Sequence, residues 1–185
     1  MLKHLQQEQN LRVLDIGPTS PQSINFLTSL GHSVYMADLV HEALNGPWIL
    51  PSEEEASEQS PRFDVPGFLE QNLNFGGREF DVVLLWNTLD YVPQDLVQPL
   101  IEHLQQNTPP GGRILAIFHS KATGPDTTYC RYHITDSDTI EMQGSEPYPV
   151  QRVYTNRNIE KLFSGFGNYR FFLAKDNLYE VLITR

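Results

Sequence analysis

Apolar and polar positions along this chain follow two alternating periods. Arg12–Ile16, Val34–Leu39, Asp81–Trp86 and Arg113–Phe118 are short, nearly continuous apolar runs, the pattern of strands buried on both faces. Between them apolar residues recur at helical spacing: Ile24, Phe26, Leu27 and Leu30 in one stretch, Leu96, Val97, Leu100, Ile101 and Leu104 in another. Ser20 before Pro21 supplies an N-cap followed by proline at the first helical position, and Gly31 ends that helix. The second helix, over Pro93–Gln106, breaks at Pro109-Pro110-Gly111-Gly112. Strand, helix, strand and helix in this order predict an α/β fold with parallel crossovers.

Weaker signals fill the rest. Residues 1–10 are polar and read as a short helix leading into the first strand. A second short helix (His41 to Leu44) closes at Asn45-Gly46-Pro47. Residues 51–61, PSEEEASEQSP, lack large apolar groups and read as a solvated acidic loop. Thr128–Ile134 and Thr139–Gln143, joined by Thr135-Asp136-Ser137-Asp138, predict a hairpin over 128–143. A helix over Asn156–Phe163 is followed by strands Tyr169–Lys175 and Tyr179–Arg185 around Asp176-Asn177. We read the whole span, 1–185, as one domain.

Composition narrows the function classes. With 39% hydrophobic and 19% charged residues, the mix is that of a soluble globular domain. A net charge of −10 argues against a general nucleic-acid surface, which needs clustered Lys and Arg. Cys130 is the only cysteine, so neither an intrachain disulfide nor a cysteine-based zinc cluster can form, and no metal site is expected. The N-terminus lacks the apolar core of a signal peptide, and no run approaches the roughly 20 residues of a membrane span. The expected location is the cytoplasm, away from membranes.

The chemistry concentrates at the ends of the predicted strands. Gly17 lets backbone approach a ligand closely, and the helix start behind it offers free N–H groups to an anionic or oxygen-rich group. Asp38 follows 21 residues after Gly17, the spacing at which a carboxylate accepts hydrogen bonds from both ribose hydroxyls. Together they describe a nucleoside site. The end of the Asp81–Trp86 run delivers Trp86, Asn87, Thr88, Asp90 and Tyr91 to the same edge, where open α/β sheets bind ligands. Trp86 and Tyr91 also read as core aromatics, the commoner fate of a large ring. His119 and Ser120 end the next strand there, and a histidine so placed either serves as a general base or is only hydrogen-bonded.

Several phrases resemble one family. VLDIGPTSP looks like the first motif of class I S-adenosylmethionine-dependent methyltransferases, V-L-D-x-G-x-G-x-G, with Asp15 and Gly17 in place. Thr19 and Pro21 stand where two further glycines are usual; Thr19 and Ser20 bring hydroxyls instead. Gln71-Asn72-Leu73-Asn74-Phe75, then Phe80-Asp81-Val82-Val83, resembles the phrase that leads into the family's fourth strand, and PPGGRILAIF its L-K-P-G-G-x-L fifth-strand motif. The resemblance implies a Rossmann-like three-layer sandwich, with a mostly parallel sheet and a C-terminal antiparallel hairpin strand. It implies S-adenosylmethionine as cofactor, held by Asp15, Gly17, Pro18, Thr19, Ser20, Asp38, Trp86 and Asn87. The adenine ring would lie by Phe68, Leu69 and Glu70, with Leu69 at the position usual for an acid.

The 128–143 hairpin falls where the family inserts substrate-covering structure. Tyr129, Arg131, Tyr132 and His133, with Tyr91, are therefore candidates to contact a methyl acceptor, for which a small molecule is expected. The hairpin could equally be a lateral sheet extension or a contact in a homo-oligomer. Asp90 and His119 are the candidates for proton transfer. Two other functions remain open: a scaffold protein that kept the fold without the cofactor, and a nicotinamide-linked oxidoreductase, for which Pro18 and Pro21 would remove backbone donors a pyrophosphate needs.

Overall fold

The computed structural model describes residues 1–50, 62–121, 129–137, 139–173 and 177–185. The acidic stretch 51–61 lies outside them, as do Thr128, Asp138, Lys175 and Asp176. In chain order the strands are β1 (Arg12–Asp15), β2 (Ser33–Met36), β3 (Ile49–Leu50), β4 (Arg62–Phe63), β5 (Val82–Trp86), β6 (Arg113–His119), β7 (Cys130–Ile134), β8 (Ile140–Gly144), β9 (Asn168–Leu173) and β10 (Leu178–Thr184). The helices are α1 (Leu2–Gln7), α2 (Pro21–Ser29), α3 (Leu39–Asn45), α4 (Val65–Leu73), α5 (Thr88–Tyr91), α6 (Gln94–Gln106) and α7 (Asn156–Leu162).

Six of these strands form one sheet in the order β2-β1-β5-β6-β10-β9. β1, β2, β5 and β6 run parallel, while β10 pairs antiparallel with both β6 and β9. This is the α/β sandwich expected from the sequence. Alternation along the strands sorts side chains to two faces. Leu14, Val83, Leu85, Ile114, Ala116 and Phe118 join one apolar cluster with the inner faces of α3, α4, α6 and α7. Val13, Val82, Leu84, Trp86, Leu115 and Ile117 join a second with Leu5 of α1, Leu27 of α2, and Tyr132 and Ile134 of β7. α6 buries the five residues its spacing predicts.

Local chemistry sets the helix starts. Ser20 caps α2 by accepting from the Ser23 N–H, with Pro21 behind it, and Gly31 leaves the helix at φ +85°. Asp38 does not end a strand: it caps α3, accepting from the His41 N–H, so Leu39 opens a helix instead of closing β2. Thr155 and Asn158 form a capping box at α7.

Two further elements depart from the sequence reading. The hairpin β7–β8 pairs Ile134 with Ile140 and Cys130 with Gly144, but forms its own two-stranded sheet. It packs on α2 and does not extend the main sheet sideways. Residues 88–91 form a single helical turn, α5, that the sequence does not announce.

Candidate functional site

The C-terminal ends of β1, β5 and β6 deliver Asp15, Trp86 and His119 to one edge. The Gly17–Ser20 loop, Asp38 and α5 surround them. Asp15 points to the same face as Trp86, and the Trp86 Nε1–H donates to Asp15 Oδ1 at 2.6 Å. Asp15 is 3% exposed, and burial pushes its pKa up to about 7 against the usual 3.8, with the nearby Asp38 charge adding to the shift.

Trp86 reaches this position by an unusual backbone conformation. Its φ is +48°, in the left-handed region that a bulky residue rarely adopts, and the β5–β6 register shifts between Leu84 and Trp86. The indole therefore lies on Gly17, where an added Cβ would meet Trp86 Cδ1 at 3.1 Å and the Tyr129 hydroxyl at 3.6 Å. The indole also stacks on Tyr132, with ring centroids 4.7 Å apart and planes 5° apart. Trp86, Tyr129 and Tyr132 are each at most 2% exposed.

The hairpin is pinned over this loop. Ser20 Oγ and His133 Nδ1 are 2.7 Å apart, and His133 Nε2 faces Gln143 Oε1 at 3.2 Å. With the amide oxygen accepting from Nε2–H, the Ser20 hydroxyl donates to Nδ1. The Ser23 hydroxyl receives the Ile134 N–H at 3.0 Å and donates to the Tyr132 carbonyl at 3.4 Å. Arg131 points elsewhere, its Nη1 donating to Gln143 on the paired strand.

At the end of β6, His119 and Asp90 form a pair. Asp90 Oδ2 accepts from the His119 backbone N–H at 2.8 Å and from Nδ1–H at 2.7 Å. Asp90 is fully buried while the His119 ring keeps 13% of its surface. Burial raises the Asp90 pKa, and the His119 hydrogen bonds oppose that shift. Tyr91 packs edge-on against His119, with ring centroids 5.9 Å apart, and at a tilt against Tyr129, at 5.1 Å.

Among the described residues, several buried polar atoms at this edge have no hydrogen-bond partner: Asn87 Oδ1, Asp90 Oδ1 and the hydroxyls of Tyr91 and Tyr132. Thr88, beside Tyr129, donates to the Ile16 carbonyl. Native interiors leave few such atoms unsatisfied, so a cluster of them marks a place for polar contacts from outside the chain.

The sequence candidates divide in space. Asp15, Gly17, Ser20, Trp86, Asn87, Asp90, Tyr91, His119, Tyr129, Tyr132 and His133 converge on this edge, next to Asp38, Pro18 and Thr19. Leu69 and Glu70 do not. α4 carries Phe68 into the core against Trp48 and Phe63, and sets Leu69 and Glu70 beside His103 and Gln106. That end of α6 adjoins the start of β5, since the Phe80 N–H donates to the Asn107 carbonyl. It is the opposite edge of the sheet, so the adenine-side assignment of Leu69 and Glu70 fails on geometry.

Tyr148, His41 and Asn45 were not legible as site residues. The Tyr148 hydroxyl lies 3.0 Å from His41 Nδ1 and accepts from Asn45 Nδ2 at 2.9 Å, beside Glu146, which is 3.5 Å from His41. This ties residues 145–150 to α3 next to Asp38. Only the proline-flanked Tyr148 hinted at it in the sequence.

Comparison with known proteins bears on this edge. A family described as "Methyltransferase domain" matches residues 2–168. The chain belongs to the methyltransferase domain family. A SAM-dependent methyltransferase from Methanosarcina mazei aligns over 100% of this chain and 96% of its own, at 15% identity and a TM-score of 0.56. The 1,6-didemethyltoxoflavin-N1-methyltransferase of Burkholderia thailandensis, solved with 1,6-didemethyltoxoflavin and S-adenosylhomocysteine, aligns over 98% and 72%, at 15% identity and a TM-score of 0.51. The magnesium protoporphyrin IX methyltransferase of Synechocystis, with bound SAM, aligns over 100% and 76%, at 18% identity and a TM-score of 0.51. These likenesses establish the fold. No curated protein matches the sequence. Among the described residues, no helix is long and apolar enough to cross a membrane.

Within this methyltransferase-family chain, the polar groups suit a nucleoside with an amino-acid tail. Carboxylates at Asp15 and Asp38, an amide oxygen at Asn87 and the start of α2 gather at one edge of the sheet. The room in front of Gly17 does not suit such a ligand in this conformation, because Trp86 and Tyr129 fill it.

Proposed function

We propose that this chain is a methyltransferase that uses S-adenosylmethionine to modify a small organic acceptor, and that its 185 residues act as one catalytic domain. The observation that carries the reading is the set of unpartnered buried polar atoms at the C-terminal sheet edge of a methyltransferase-family fold. Asp38 spends Oδ1 on the α3 cap and keeps its second oxygen for ribose hydroxyls. Asp15 and the Asn87 amide oxygen suit the cofactor's ammonium group. The N–H groups at the start of α2 suit its carboxylate, with Pro18 and Pro21 contributing no donors there.

The cofactor supplies a methyl group already activated on a sulfonium. What remains for the chain is to exclude water and align the acceptor, which asks for shape and not for a nucleophile. Tyr91, Tyr129 and Tyr132 supply the wall. On an acceptor that carries an O–H or N–H, a base is useful: with Nδ1–H held by Asp90, His119 keeps Nε2 as the proton-accepting atom. Small acceptors are favoured by the small molecules named for the Burkholderia and Synechocystis neighbours. The net charge of −10 disfavours a nucleic acid.

Calorimetric titration with S-adenosylhomocysteine tests the reading. Wild type is expected to bind, and Asp38→Ala to bind about tenfold or more weakly, a loss of about 1.4 kcal/mol or more. Equal affinity of the two proteins would remove Asp38 from the site. Tighter binding of a nicotinamide dinucleotide would move the chain to a different reaction class.

The packing of Trp86 and Tyr129 on Gly17 favours one second reading, a scaffold in which the cofactor site is permanently closed. Absence of binding heat with wild type and with variants that loosen the closure would support it.

A further inference from the structure

We infer that Trp86 and the strap formed by the β7–β8 hairpin with residues 145–150 make up a gate, closed in this structure, over the nucleoside-binding cleft. The inference rests on the cofactor reading above and concerns how that site opens.

The strap is held on its α2 side and its α3 side by contacts of different character, and past residue 150 the Gln151 N–H ties the chain to the Asp90 carbonyl at 2.7 Å. On the α2 side the contacts are buried: Ser20 with His133, and Ser23 with the backbone of Tyr132 and Ile134. On the α3 side the hydrogen bonds are solvent-exposed, Tyr148 with His41 and Asn45 and Glu146 with His41, and the apolar packing of Tyr148 and Val150 is only partly buried. Exposed ties of this kind contribute little and break readily, whereas the buried ones hold. The α2 side is therefore the hinge and the α3 side the latch.

The latch is linked to the plug. The Tyr129 N–H donates to the Glu146 carbonyl at 2.9 Å, and the Ser145 N–H donates to the Tyr129 carbonyl at 2.7 Å. When residues 145–148 lift from α3, they draw Tyr129 out of the space in front of Gly17. That unpacks one side of Trp86, whose indole is the other group filling the space.

The closed state is built to be given up. A permanent core would satisfy its polar atoms, yet among the described residues Asn87 Oδ1 and the Tyr132 hydroxyl are buried without hydrogen-bond partners. Trp86 sits at φ +48°, a strained conformation for a bulky residue and one that clusters at switch regions. Asp15, 3% exposed, is met by the indole N–H of that same strained residue. A zwitterionic nucleoside offers each of these groups a better partner. It can therefore bind the open form selectively and shift the population toward it.

S-adenosylhomocysteine is the probe, and the chain has two tryptophans, Trp48 and Trp86. The Trp86 signal is isolated by subtracting the emission of Trp86→Phe from that of wild type. Binding is expected to change Trp86 emission, with a stopped-flow rate that at high ligand levels off at the rate of gate opening. Tyr148→Phe removes the latch hydroxyl and keeps the ring. It is expected to raise the limiting rate about fivefold and to tighten binding, because a larger open fraction raises apparent affinity. Calorimetric binding without change in Trp86 emission, or the same limiting rate in Tyr148→Phe, would overturn the gate while leaving the cofactor reading intact. No binding heat in wild type, Tyr148→Phe or Trp86→Ala would remove the cofactor reading and the gate with it.

Discussion

At pH 8 the Asp15→Asn variant is expected to resist urea better than wild type, by about 2–4 kcal/mol, with the difference fading toward pH 4. Asp15 is buried against Trp86, and burial raises its folded pKa to about 7. In the unfolded chain it titrates near 3.8. Below that value both states hold the proton and the group has no influence. Between about 4 and 7 the unfolded chain releases its proton while the folded chain retains it, so stability falls as pH rises. Above about 7 the penalty is complete and constant. Asparagine does not titrate, and its amide oxygen can still accept from Trp86 Nε1–H. Urea midpoints of both proteins at pH 4 and pH 8 check this. A gain of the same size at both values would show that the charge of Asp15 is not its cause.

The same substitution is expected to weaken S-adenosylhomocysteine binding, since a neutral amide cannot balance an ammonium. A residue that lowers stability and raises affinity is one kept for a ligand, the trade-off common at active sites. Gain of stability with unchanged affinity would separate Asp15 from the cofactor site.

Most of the fold was legible, and for a definite reason. Apolar runs such as Asp81–Trp86 and the Leu96–Leu104 stripe carry their period in the sequence, and proline and glycine mark their ends. The end of β2 was misread because Tyr35–Leu39 is mostly apolar, which hides the fact that Asp38 can cap a helix. α5 went unread since four residues cannot show a helical period.

The candidate residues were legible one by one, and their arrangement was not. Gly17, Asp38, Asn87, Asp90 and His119 follow from strand ends and spacing, and Asp15 from the resemblance. Leu69 and Glu70 were placed by resemblance alone, and α4 puts them at the opposite edge beside α6. The closure over Gly17 depends on the sign of one backbone angle, at Trp86, and on a hairpin more than a hundred residues beyond Ser20 in the chain. Long-range packing of that kind leaves no local signature.

The largest loss of stability is expected at Asp90. Its Oδ2 holds two donors of His119, the backbone N–H and Nδ1–H, in a fully buried position. Asp90→Ala leaves both without an acceptor, which should destabilise the fold by about 3–5 kcal/mol, as breaking a buried pair does. His119→Ala removes the ring but keeps the backbone donor, and leaves Asp90 with one hydrogen bond. Its cost should be smaller, about 1–3 kcal/mol. Because the two substitutions abolish one shared contact, the double variant should lose less than the sum, by about 1–3 kcal/mol. Urea unfolding of the four proteins measures this coupling. Additivity within about 0.5 kcal/mol would mean that the ring contact contributes nothing, and that Asp90 serves only the His119 backbone. A large coupling means that Asp90 fixes the imidazole with Nδ1–H inward, leaving Nε2 as the atom that can take a proton from an acceptor.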